Sequence, residues 1–481
     1  MDCRHQPTHW KPSKYNWILP IDAMGGGGAI YNAYTGACLD FGENDFRRIK
    51  ALLNSTQDTI DFHLLGDSAI PLGGALIAGG MVVEYGFDEL ADLEKRINSK
   101  KIDEFPLVLT ITPTFSCNLG CSYCFVGKKK GLMSRKTEHE VISFVKSHLD
   151  SGNIPAFSVD WFGGEPLLAR RSIGRLSSTF IELCAEKAIP YRAHLITNGT
   201  LLDTEIADQL ESWGIDRIQI TLDGKRSTHD ARRPWKGPSH NIIAKSSFDD
   251  TLSGIEHVIG RVAIRLRINV DRNNLEEAFS LLHMFDQRGW LSPDLQFYPY
   301  LSMVTDFTNA ATGKWSLSEA CFPDEFYRAY QKWLDLLNTR GLSVAGERLY
   351  GFPQPITTAC GAFSERGWII SFDGQLHKCG LDSDTDNRSI GFLGKEKDQS
   401  NSNALYWSNY NPATNSECRQ CRAFPVCLGG CARDRRDNRD KAMLDNCEFH
   451  HKYEPLIVAQ HIRMRRENNL KARIGSGKTN Q

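Results

Sequence analysis

Between Leu107 and Tyr300 the sequence switches repeatedly between two periodicities, and this alternation limits the folds open to it more than any other feature. Short apolar runs, Leu107–Thr112, Phe157–Phe162, Tyr191–Thr197, Arg217–Thr221, Arg261–Val270 and Leu295–Pro299, read as strands. Between them Lys136–Leu149, Ile173–Lys187, Thr204–Trp213 and Leu275–Arg288 read as helices. Repetition of this kind builds a parallel sheet covered by helices. Ligands in such folds collect beyond the carboxyl ends of the strands, so chemistry is expected in the residues that follow each strand. The polar stretch from Lys236 to Leu252 reads as a loop.

The first of these strands runs into Cys117-Asn118-Leu119-Gly120-Cys121-Ser122-Tyr123-Cys124. Thiolates are soft ligands for iron–sulfur clusters and for zinc. Three of them in so short a span can surround one centre and leave a fourth position open, whereas a structural zinc site is closed by four ligands. An open iron is what a cluster needs to hold a small molecule and pass it an electron. On spacing alone a zinc knuckle short of one ligand, or buried free thiols, stays as the alternative. Three more strand ends carry Trp161-Phe162-Gly163-Gly164-Glu165-Pro166, Thr197-Asn198-Gly199 and Thr221-Leu222-Asp223-Gly224.

In this order the motifs resemble those of the radical S-adenosylmethionine (SAM) superfamily, over roughly Leu107 to Tyr300. The resemblance implies an α/β fold with a partial (β/α)6, TIM-like barrel. It implies that Cys117, Cys121 and Cys124 hold one 4Fe-4S cluster by three irons. The fourth iron would take the amino and carboxylate groups of SAM, whose reductive cleavage gives a 5′-deoxyadenosyl radical. Tyr123 would then lie by the adenine, and Gly163 and Gly164 would let the backbone approach the methionine moiety. Glu165 would receive the ammonium group, and Thr221 would bond the ribose. Asn198 and Asn269 would add polar contacts. Arg232, or its neighbour Arg233, would meet a carboxylate of SAM or peptide, with a surface ion pair as the other reading of each arginine.

Seven of the fourteen cysteines lie between Cys360 and Cys447: Cys360, Cys379, Cys418, Cys421, Cys427, Cys431 and Cys447. Their order resembles the SPASM domain, which binds two auxiliary 4Fe-4S clusters and so brings the expected total to three. The resemblance implies that Cys360, Cys379 and Cys431 bind the cluster nearer the barrel, and that Cys418, Cys421, Cys427 and Cys447 bind the outer one. A fourth ligand to the nearer cluster, supplied in some relatives six residues before the first cysteine, is replaced here by Gln354. That iron is left open, or is filled by a ligand from elsewhere such as Cys321, or by a substrate thiolate. Cys3, Cys38, Cys184 and Cys321 read as small buried hydrophobes or surface thiols.

Balanced charge, with 57 Lys plus Arg against 58 Asp plus Glu, argues neither for nucleic acid nor for an anionic membrane surface. No apolar stretch is long enough to span a bilayer, and Met1-Asp2-Cys3-Arg4-His5 opens no signal peptide. We therefore expect a cytoplasmic protein, where clustered cysteines act as metal ligands rather than as disulfides. At the front, Ala29–Gly36, Asp45–Leu53, Ala75–Val83 and Asp88–Ile97 read as strand, helix, helix end with strand, and helix. This pattern resembles the winged-helix-like peptide-recognition domain of peptide-modifying radical SAM enzymes, which adds a leader peptide to a sheet edge. A structural cap is the other reading.

We divide the chain into residues 1–98 (winged-helix-like peptide recognition), 99–305 (radical SAM partial barrel), 306–355 (a bridging segment with an amphipathic helix from Pro323 to Arg340), 356–455 (SPASM) and 456–481 (basic tail). The resemblance implies a radical SAM oxidoreductase that acts on a ribosomally made precursor peptide to install a carbon–carbon, ether or thioether cross-link. A flavodoxin- or ferredoxin-type electron donor would serve it. In sulfatase-maturing relatives an Asp follows the second SPASM cysteine, but here Gly380 follows Cys379. Sulfatase maturation is thus the alternative, and a zinc-dependent nucleic-acid-binding protein is the alternative from another class.

Overall fold

The computed structural model describes residues 9–21, 26–55, 59–99, 105–126, 129–236, 246–304, 323–342, 352–356, 360–395, 400–437 and 447–476. Cys3, Cys321 and most of the expected bridging segment lie outside the described residues. The chain forms two compact units, one of residues 1–100, 345–360 and 410–481, the other of residues 101–344 and 361–409.

In the first unit β2 (Asn16–Pro20), β3 (Gly28–Asn32) and β4 (Cys38–Phe41) form an antiparallel sheet, while β1 (Trp10–Pro12) pairs with β5 (Val82–Glu84) as a ribbon. Helices Glu43–Leu53, Ala69–Ala78 and Glu89–Ser99 complete the front segment. Trp17 and Leu19 alternate inward along β2, the period of a half-buried strand. What they pack on comes from far along the sequence. Tyr15, Trp17, Tyr31 and Leu93 share one core with Ala423, Phe424, Leu428 and Val458. The Trp17 indole donates to Arg422 O at 3.4 Å, and the Tyr31 hydroxyl to Pro353 O at 2.7 Å. The helix Glu454–Ser476 is tied in by Arg466, whose Nε donates to both Asp40 oxygens at 3.0 and 3.2 Å.

The second unit is a nine-stranded sheet in the order β11-β10-β9-β8-β7-β6-β12-β13-β14. Six parallel strands, β6 (Leu107–Thr114), β7 (Phe157–Gly163), β8 (Tyr191–Thr197), β9 (Ile215–Leu222), β10 (Ala263–Val270) and β11 (Phe297–Met303), follow chain order. Then β12 (Gly367–Ser371) joins β6 in parallel, and β13 (Gln375–His377) and β14 (Gly391–Phe392) continue antiparallel. Phe157, Val159 and Trp161 fill the inner face of β7. The amphipathic helix is Pro323–Asn338; it buries Phe326, Tyr330, Trp333 and Leu337, and the Trp333 indole donates to Pro299 O at 3.1 Å. The expected loop to Leu252 is corrected in its second part. A helix runs from Ser247 to Val258 because Ser246 accepts the Asp249 amide as a cap and Phe248, Leu252 and Ile255 form a buried stripe. Among the described residues no helix is long and apolar enough to cross a membrane.

Candidate active site

All the motif residues of the parallel sheet fall where its strands end. β6 delivers its chain through Phe115 into the cysteine loop, which is held by backbone pairing rather than by its own short turns. Gly120 N donates to Pro234 O at 2.7 Å, Ser122 N to Arg232 O at 2.9 Å and Lys236 N to Asn118 O at 2.8 Å. The segment Arg232–Lys236 thus lies antiparallel against Asn118–Ser122, a pairing that no local pattern announces.

β7 ends against the same loop. Gly164 N donates to Thr114 O at 3.0 Å and Glu165 N to Ser116 O at 2.9 Å. Gly163 has φ +131°, and a Cβ there would lie 2.2 Å from Thr114 O; a Cβ on Gly164 would lie 2.2 Å from Ser116 O. Both glycines are therefore required by the chain's own backbone crossing. The Glu165 carboxylate is fully buried and accepts from Leu167 N (3.1 Å), Thr197 Oγ1 (2.8 Å) and Asn198 N (2.8 Å). Burial, the dominant influence, lifts its pKa above the usual carboxylate range in spite of these donors. This carboxylate joins the ends of β7 and β8.

At the end of β8 the Asn198 amide donates to Asn118 Oδ1 at 2.8 Å and reaches the Cys117 sulfur at 3.7 Å. The Asn118 amide in turn donates to Thr200 Oγ1 at 2.8 Å. At the ends of β9 and β10 a buried charge network forms. Arg232 binds Asp223 at 3.1 Å and also pairs with Asp271, while its guanidinium lies over the Tyr123 ring at 5.3 Å. Arg233, nearly fully buried, donates to the Tyr123 hydroxyl at 2.8 Å, and Asn269 Nδ2 donates to the same oxygen at 2.9 Å. Thr221 sits buried at the end of β9, beside Arg267 of β10. Asn118, Thr197 and Asp223 lie inside motifs read from the sequence but carry no role there, and Asp271 lies outside those motifs. Their signal is position alone, since each follows or ends a strand or sits in the cysteine loop.

The three thiols lie within one another's electrostatic reach. Burial pushes Cys117 and Cys121 up to about 11, with Glu165 adding to the rise at Cys117. Metal binding would have to drive off these protons, as it does wherever thiolates are ligands. Among the described residues no three His, Cys, Asp or Glu side chains converge as they would on one metal ion. A 4Fe-4S cluster does not require that, because each thiolate takes a different iron. Three soft donors on one half-buried loop, with Cys121 buried, fit such a cluster.

A second thiol set lies in the first unit. Cys418, Cys421, Cys427 and Cys447 influence one another electrostatically, and burial raises the pKa values of Cys418, Cys421 and Cys447. Four soft donors with no carboxylate among them fit a fully ligated cluster. Of the other three cysteines, Cys360 and Cys431 belong to the first unit and Cys379 to the second.

A parallel sheet whose first strand feeds a half-buried three-cysteine loop, with Gly-Gly-Glu at the next strand end, is the arrangement the radical SAM resemblance implies. Residues 111–265 match the Radical SAM superfamily, so the chain carries a radical SAM domain, for which SAM and a 4Fe-4S cluster are the cofactors, and it is an enzyme. It is 23% identical over 364 residues to the cysteine-type anaerobic sulfatase-maturating enzyme of Clostridium novyi (strain NT), covering 71% of this chain and 92% of that protein. It is 27% identical over 197 residues to the Fe-coproporphyrin III synthase of Methanosarcina barkeri (strain Fusaro / DSM 804), covering 41% of this chain and 44% of that protein. The fold is similar to that of native anSMEcpe with bound AdoMet, with TM-score 0.55 and 20% identity over 74% of this chain and 100% of that one. The zinc-dependent nucleic-acid-binding alternative is set aside by the radical SAM domain.

Proposed function

We propose that this enzyme abstracts hydrogen from a ribosomally made precursor peptide and installs a carbon–carbon, ether or thioether cross-link. The observation that carries the reading is the coexistence, in one chain, of the radical SAM loop with the separate cysteine tetrad Cys418, Cys421, Cys427 and Cys447. A radical acting on a peptide leaves an electron to remove once the new bond has formed, and further iron–sulfur centres provide somewhere for it to go. The shared fold with anSMEcpe, also solved with AdoMet and the Cp18Cys peptide, is consistent with a peptide as substrate.

When bound, the cluster and SAM supply a 5′-deoxyadenosyl radical. The chain's residues orient that chemistry. Cys117, Cys121 and Cys124 anchor the cluster, and Arg233, from the segment paired with the loop, and Asn269, from the end of β10, fix Tyr123. Asn198 holds the cysteine loop through Asn118, and Gly163 and Gly164 let β7 pass close beneath it. Thr221, Asn198 and Arg232 are our candidates for contacts to SAM.

Sulfatase maturation is the second reading, favoured by the coverage of 92% of the Clostridium novyi enzyme. Against it stands Gly380 after Cys379. The nearest carboxylates, Asp382 and Asp384, are buried, and Asp384 is engaged with Lys129 N at 3.1 Å. Mass spectrometry of a precursor encoded beside this protein and co-expressed with it tests the proposal. A loss of two hydrogens with a fragment-ion gap at a cross-link supports it. Conversion of a sulfatase Cys or Ser to formylglycine, with the precursor untouched, overturns it in favour of the second reading.

A further inference from the structure

The cysteine tetrad has basic side chains set against its sulfurs. Arg435 donates through Nη2 to the Cys418 sulfur at 3.2 Å and is itself anchored by Nε to Gly429 O at 2.6 Å. His451 Nε2 lies 3.3 Å from the Cys421 sulfur. His450 hydrogen-bonds Cys427 and is held from its other side by the buried carboxylate of Glu454, with Nδ1 2.7 Å from Oε2. Three of the four thiols therefore each have a basic side-chain nitrogen within hydrogen-bonding reach, one of them on a permanent cation. In the radical SAM loop the side-chain and backbone donors on Cys117 are neutral, the Leu119 amide at 3.4 Å and the Asn198 amide at 3.7 Å, and the cations Arg233 and Lys236 act on its thiols through space.

Hydrogen bonds and positive charge at cluster sulfurs stabilise the reduced form, because reduction adds negative charge that spreads onto the sulfurs. Charge-assisted donors have the larger effect. Resting on the reading of Cys418, Cys421, Cys427 and Cys447 as cluster ligands, we propose that Arg435, His450 and His451 are positioning residues that raise the reduction potential of the cluster held there. Arg435 contributes most, since its charge does not depend on pH. The arrangement makes the tetrad's cluster an acceptor of electrons. The sequence pattern alone, which specifies only the ligands, carries no such bias.

The test is an EPR-monitored redox titration of the full chain with Cys117, Cys121 and Cys124 replaced by Ala, which leaves the auxiliary signals alone. Arg435→Gln should make reduction of one signal about tenfold harder, a fall of about 59 mV for a one-electron couple, while any second signal stays in place as an internal reference. Arg435→Lys should recover part of that shift, and His450→Gln and His451→Gln should shift the same signal the same way. If Arg435→Gln sheds iron, Arg435→Lys and His451→Gln decide the matter. A midpoint unmoved in both, at full iron content, overturns the proposal. Failure of the underlying ligand assignment looks different: Cys418→Ser together with Cys421→Ser would then leave iron content and both signals unchanged.

Discussion

Arg233 donates to the Tyr123 hydroxyl at 2.8 Å, so the aromatic residue between the last two cysteines of the loop is fixed by the segment Arg232–Lys236 that pairs with that same loop. Asn269, at the end of β10, donates to the same oxygen at 2.9 Å. One phenol thus links the loop after β6 to the segment that pairs with it and to the end of β10, four places along the sheet. Arg233 also approaches Asp223 at 3.8 Å, within a network buried from solvent.

Replacing Tyr123 with Phe leaves the ring in place and removes the acceptor of both donors. A buried donor deprived of its partner costs on the order of 1–3 kcal/mol. We expect Tyr123→Phe to lower unfolding free energy by about 2 kcal/mol, read as a lower denaturation midpoint at unchanged slope. An unchanged midpoint would show that the clamp does not operate.

The pH dependence of stability should report His229. Its ring is buried and accepts the Asp223 amide through Nδ1 at 3.2 Å. Burial, followed by the charge of Arg233, holds its pKa well below the ordinary 6.5. The unfolded chain takes up a proton near 6.5 and the folded one does not. The contribution of His229 is therefore fully present above 6.5 and is lost as pH falls through the window below it, by at most about 1.4 kcal/mol per unit. In His229→Gln that part of the slope should vanish. If the slope between pH 6.5 and 5 is the same in both proteins, the residue is not buried neutral.

How much of this could be read in advance depends on whether a feature is local. The strands β6 to β11 announce themselves because each is an apolar run between helical periods, and the cysteine and Gly-Gly-Glu motifs lie at their ends. What could not be read depends on distant partners. β12 is five residues, Gly367–Ser371, and nothing in Gly-Trp-Ile-Ile-Ser indicates that it pairs with β6. The helix Ser247–Val258 begins with serines and aspartates whose polarity suggests a loop, although Ser246 is using its hydroxyl as a cap. The antiparallel seam between Arg232–Lys236 and Asn118–Ser122 rests on backbone groups, which every sequence has.

The radical SAM loop makes a simple prediction about iron. With three 4Fe-4S clusters the anaerobically reconstituted protein should carry about twelve irons. Replacing Cys117, Cys121 and Cys124 together with Ala should remove about a third of the iron and abolish reductive cleavage of SAM. SAM cleavage that survives in this variant would disprove that the loop generates the radical. An iron count near eight in the unaltered protein would reduce the auxiliary set to one.

The last prediction concerns the core shared by the front segment and the cysteine tetrad. Trp17 of β2 is fully buried among Tyr31, Ala423, Phe424 and Leu428, and its indole bonds the carbonyl of Arg422, the residue after the tetrad's Cys421. Cys418 itself belongs to this core, and Cys421 packs against it. Removing residues 1–98 would therefore strip away half of that packing, which makes a truncation a poor test of peptide recognition. A point variant is cleaner. Trp17→Ala should cost about 3–5 kcal/mol through the cavity it leaves. Because this strain falls on the loop between Cys418 and Phe424, the tetrad's iron should be lost first, about a third of the total on a three-cluster count. Cleavage of SAM depends on the other unit's cysteines and should persist in the same sample. Parallel loss of both activities would mean that the two units do not hold their clusters independently. Full retention of iron, together with a lowered melting temperature, would mean that the tetrad is rigid without the front segment, and that β2 buries its tryptophan for the sake of the sheet alone.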